Sequence, residues 1–138
     1  MRNHPYLRAY MAGITVPTLF LLVVLSTLIG LRRFSELPVP VERFVVFPMA
    51  VVPNAWGAWN VLRVASATAR RLPLGWYGAL LAVVLPLIGY GFARAVGIGL
   101  TAHPSGIFAV AWLVAVIVYY LAWKHLVGFL NELLGVYG

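Results

Sequence analysis

Carboxylates and imidazoles move most of the protons in enzymes at neutral pH. This sequence offers few of either: Glu36, Glu42 and Glu132, with His4, His103 and His125. Asp, Gln and Cys are absent, and the missing thiols exclude disulfides, thiolate nucleophiles, iron–sulfur clusters and thiolate zinc sites. Glu36 and Glu42 flank Pro38-Val39-Pro40 in the manner of an acid–base couple, but Arg33 and Arg43 beside them make solvated ion pairs the better explanation. His125 and Glu132 stand two helical turns apart, and two ligands without a third do not hold a metal. Ser105 near His103 lacks the third group that orients a base. The expectation is a protein that is not an enzyme, with no catalytic residue, no metal and no cofactor.

Amides and aromatics set inside apolar runs have more to offer. Asn54, Gly57 and Asn60 lie within about 120° of one helix face, and an amide removed from water requires a partner. The first reading is a hydrogen-bonded clamp between helices, with Trp56 and Trp59 at a headgroup boundary. The alternative is a polar pathway for a small transporter or channel along Asn54, Trp56, Asn60 and Arg94. Arg94 lies 20 residues beyond Leu74, roughly 30 Å along a helix and one hydrocarbon thickness, so snorkelling to headgroups explains it first. Trp112, Val116, Tyr119 and Trp123 recur at helical spacing. Such a stripe is ordinary core or membrane interface; its alternative use is to bind a lipid or a flat hydrophobic ring.

These residues need a scaffold, and composition names the kind. In 138 residues, 63% are hydrophobic and 9% charged, with a mean hydropathy of +0.96, whereas about a quarter of an ordinary soluble domain is charged. Stretches free of Lys, Arg, Asp and Glu run over Ala9 to Leu31, Phe44 to Leu62, Leu72 to Ala93 and Ala95 to Trp123, against the need for about 20 apolar residues per membrane crossing. The sequence therefore predicts an all-α, integral membrane four-helix bundle: one transmembrane domain over residues 1–138, with approximate spans 9–31, 44–62, 72–97 and 107–130. Short connecting loops join them. Pro48 and Pro53 make the second span the least regular. Beyond Trp123 the chain either continues as helix or lies in the interface as an amphipathic tail.

Gly75, Gly78, Ala82, Pro86, Gly89, Ala93 and Gly97 follow one another at intervals of three or four, which places them on one narrow face. Small residues in this pattern let helix backbones approach where lipid gives no hydrophobic drive. Packing within the chain is the first expectation, and a homo-oligomer seam the alternative.

Ten Lys and Arg against three Glu give a net charge of +7. The basic residues punctuate apolar runs rather than share a soluble face, so their expected partners are anionic lipid headgroups and not nucleic acid. Arg2, Arg8, Arg63, Arg70, Arg71 and Lys124 fall on the side of both termini, against Arg32, Arg33, Arg43 and Arg94 opposite. The positive-inside rule then puts both termini in the cytoplasm. The resulting expectation is a non-enzymatic accessory or structural membrane component, self-associating or part of a larger membrane complex.

Overall fold

A computed structural model describes residues 4–35, 48–66, 72–95 and 106–136. Among them the regular structure is helical: α1 (Pro5–Ser35), α2 (Pro48–Ala65), α3 (Leu74–Ala95) and α4 (Gly106–Ala122). The last continues through a π-helical turn (Trp123–Val127) into α5 (Gly128–Leu133). Pro5 and Pro48 occupy first helical positions, where a fixed φ suits the helix and the missing N–H bonds nothing. Arg32 and Arg33, Arg63, and Arg94 stand in the last turns of α1, α2 and α3, where positive charge opposes the helix dipole.

Among the described residues, three helical stretches, Pro5–Phe34, Leu74–Phe92 and Ala109–Leu133, are long and apolar enough to cross a membrane. The second expected span corresponds to α2, which is not among the three. Its 18 residues include Asn54, Asn60 and Arg63, and at about 1.5 Å per residue it is roughly 27 Å long. Polarity, more than length, separates it from the others. Large exposed apolar side chains are spread along α1, α3 and α4, from Leu19 and Phe20 to Leu113 and Ile117.

The helices pack as two antiparallel hairpins. In the first, Ala9 and Ala12 are fully buried. A Cβ added to Gly13 would lie 2.6 Å from the Trp56 carbonyl oxygen and 2.9 Å from the Gly57 Cα. Gly57 in turn receives the Tyr10 ring, 2.7 Å from where its own Cβ would be. In the second hairpin, a Cβ on Gly75 would meet the Tyr120 ring at 2.6 Å, and one on Gly78 would collide with the Tyr119 carbonyl and the Trp123 ring. The small-residue stripe of α3 is thus the socket for the aromatic stripe of α4 at Gly75 and Gly78. The hairpins meet through Trp56, Tyr77, Leu81, Leu85, Trp123 and Val127, which form the main buried cluster.

Pro17, Pro53 and Pro86 sit inside helices, each depriving the carbonyl four residues earlier of its donor. For Pro86 that carbonyl belongs to Ala82, and the Trp112 indole N–H donates to it at 3.1 Å. A side chain from the neighbouring helix thereby supplies the bond that proline removes.

Candidate functional site

The polar centre of the bundle lies where α1, α2 and α5 converge. Asn60 and Asn131 are both fully buried. The Asn60 amide donates to the Asn131 Oδ1 at 2.8 Å and to the Ala9 carbonyl at 2.8 Å, while the Asn131 amide returns a bond to the Asn60 Oδ1 at 3.3 Å. An amide has two donors and an acceptor oxygen with two lone pairs, and here one pair of side chains ties three helices together.

Two local features aim Asn131 at this point. The π turn Trp123–Val127 uses about one residue more than an α turn, which sets the side chains beyond it back by about 100°. At the far end, Gly135 takes a left-handed φ of 62°, its N–H bonding the Glu132 carbonyl at 3.0 Å and that of Val136 the Asn131 carbonyl at 2.9 Å. That pair of bonds is a glycine-terminated helix end. It turns Val136 back onto Ala9 and Val64, with which it forms a second buried cluster.

Asn54 is exposed and bonded twice: its Oδ1 accepts from the Tyr10 hydroxyl, and its Nδ2 donates to the Ala50 carbonyl at 2.6 Å. Asn54 and Asn60 therefore bond different partners, Tyr10 on one side and Asn131 with Ala9 on the other. Arg94 is exposed at the end of α3, its guanidinium 5.9 Å from the Tyr90 ring centre and 3.4 Å from the Tyr90 hydroxyl. It makes no contact with either amide in these bonds.

The aromatic candidates cluster more tightly. The Trp56 and Tyr119 rings lie edge to face with centres 4.9 Å apart, and Trp123 lies 5.5 Å from Trp56. Trp59 donates its indole N–H to the Tyr77 carbonyl at 3.0 Å, and the Arg63 guanidinium lies 5.7 Å from the Tyr77 ring centre. Trp112 is 42% exposed and is held by the Ala82 carbonyl.

Of the small-residue positions, Gly75, Gly78 and Ala82 are buried and Gly89 is half-buried. The Ala93 side chain and Gly97 lie outside the described residues, as do Glu36, Glu42, His103 and Ser105. His125 and Glu132 are exposed, and no three metal-ligating side chains gather among the described residues. Sequence reasoning missed Asn131 as a site residue, and missed Ala9 and Gly13, whose four-residue spacing is itself a small-residue motif.

No family model, curated protein or solved structure matches this chain.

Proposed function

We propose that this chain is a non-enzymatic, multi-pass integral membrane protein, a four-span bundle serving as an accessory or structural component of a membrane assembly. The observation that carries this reading is the Asn60–Asn131 pair. The two fully buried amides are engaged in a bond between helices, where a solute pathway would keep amides turned toward a hydrated route. Asn54 and Arg94, two further members of the pathway reading, are bonded to Tyr10 and Tyr90. Self-association belongs to the same proposal, with the face of α3 from Gly89 onward as the seam. Anionic headgroups partner the basic residues.

Four crossings put both termini on one side, and the six-to-four distribution of basic residues makes that side cytoplasmic. Reporter fusions after residue 138 and within residues 37–41 are expected to report opposite faces of the membrane. A common face would mean that α2 does not cross.

The functional reading is tested by purifying the tagged full-length chain in a mild detergent and identifying everything that comes with it by mass spectrometry, with the oligomer mass measured in the same preparation. The expected result is a stoichiometric membrane-protein partner or a defined homo-oligomer. A monomer with neither, showing solute flux in vesicles that Asn60→Leu abolishes without unfolding, would replace this reading with a transporter.

A further inference from the structure

A π turn is rare inside an α-helix, so one that persists needs contacts outside the turn that favour it. Here the Gly128 N–H reaches back five residues to the Trp123 carbonyl, and the favourable contacts lie further along. Asn131 is the only buried residue of α5. After it, Val136 closes on Ala9 and Val64. Leu126, Phe129 and Leu133 are 52%, 61% and 67% exposed, so the segment turns its apolar stripe outward and its amide inward. Its hold on α1 and α2 therefore rests on one amide pair and one valine, and an element with so few buried apolar contacts belongs to the least stable part of a fold.

An ordinary α turn in the same place would advance everything beyond it by about 100°. Each buried position would then receive the residue that precedes its present occupant: Leu126 in place of Val127, Leu130 in place of Asn131, and Gly135 in place of Val136. The first two newcomers are leucines, which an apolar interior accepts. The chain thus carries two competing registers. The π register joins Asn131 to Asn60 and seats Val136. The α register has the regular backbone ladder, but it sets Leu130 opposite Asn60 and a glycine against Ala9 and Val64.

We propose that the π turn Trp123–Val127 is a register switch for the C-terminal segment, which covers Ala9, Asn60 and Val64 in the π register and uncovers them by rolling Asn131 and Val136 away in the α register. The bond from the Asn60 amide to the Ala9 carbonyl belongs to both registers, so the α1–α2 hairpin stays closed while its cover moves.

The test is a distance measurement between nitroxide labels by double electron–electron resonance, on the full-length chain in lipid nanodiscs. The chain has no cysteine of its own, so labels go on Ala65→Cys and Leu133→Cys, both exposed positions. Two distances are expected in the otherwise wild-type chain, one predominant. Asn131→Leu removes the amide that favours the π register and should shift the ratio several-fold toward the second distance. Deleting exposed His125 takes out the extra residue, leaving an α turn with Asn131 still facing Asn60, and should abolish the second distance. A control pair at Ala65 and Val114, the latter exposed on α4, should keep one distance throughout. A single, unchanged distance at Leu133 in both the wild type and Asn131→Leu overturns the proposal without the deletion having to fold. A second distance that survives the deletion also overturns it, since the segment then frays rather than changes register. So does a control pair that moves in Asn131→Leu, because the bundle and not the segment has then opened.

Discussion

Gly78→Ala is expected to destabilise the bundle by about 1 to 3 kcal/mol, the range for overpacking a filled interior, and Gly13→Ala by a similar amount. Helix propensity works the other way, since alanine is favoured over glycine in a helix interior by about 1 kcal/mol. The contact decides which effect wins. At Gly78 the new methyl meets the Tyr119 carbonyl and the Trp123 ring, and at Gly13 it meets the Trp56 carbonyl at 2.6 Å. A flexible side chain would swing aside, but a helix carbonyl moves only with its helix. Relief therefore separates α3 from α4, or α1 from α2, and loosens the ring contacts that close approach permits. Gly91→Ala supplies the comparison, because nothing lies within 4 Å of a Cβ at that position. It should leave stability unchanged or raise it by up to about 1 kcal/mol. Thermal unfolding in detergent, followed by circular dichroism, checks all three, and equal midpoints for Gly78→Ala and Gly91→Ala would remove the glycine socket from this account.

Asn60→Leu should cost about 2 kcal/mol. Interhelical hydrogen bonds in membranes average about 0.6 kcal/mol and reach about 1.7, and a buried polar group left without its partner adds about 1 to 3. Leucine at residue 60 removes both donations, to Ala9 and to Asn131, and takes from the buried Asn131 amide its bonds to Asn60. Asn54→Leu removes bonds to Tyr10 and Ala50 at an exposed position, so it should cost less, about 0.6 kcal/mol. The ranking is the informative part: an Asn54 effect larger than that of Asn60 would put the main clamp in the wrong place.

Helix content and the apolar spans were legible because hydrophobic run length is a one-dimensional property. The glycine stripe of α3 was legible for the same kind of reason: Gly75, Gly78 and Ala82 recur at helical spacing whatever they pack against. What they pack against was not. The aromatic stripe of α4 was visible too, yet matching Gly78 to Trp123 requires knowing that α3 and α4 run antiparallel and in which register. Asn131 illustrates the limit best. Its spacing from Leu126, Phe129 and Leu130 makes it the polar position of an amphipathic tail, and an ideal α-helix leaves it there. The π turn shifts its phase, and only then does it meet an amide 71 residues earlier. A π turn leaves no composition signature comparable to proline, so no periodicity argument anticipates the shift. Gly135, by contrast, is an ordinary stop signal just past Leu133 and Leu134, and the helix end it makes was there to be read.

The buried Asn60–Asn131 amide pair ties α2 to α5 in this bundle. A double-mutant cycle on Asn60→Leu and Asn131→Leu, read by unfolding free energy in one detergent, tests it most directly because the cycle isolates the pair. Each single variant takes from one amide its partner amide, whereas the double variant removes both members of the pair. The predicted result is a double variant no less stable than Asn60→Leu alone, with a coupling energy of about 1 to 2 kcal/mol. Additive losses with no coupling would contradict the claim, for then the two amides act independently and Asn60 is free to serve something other than Asn131.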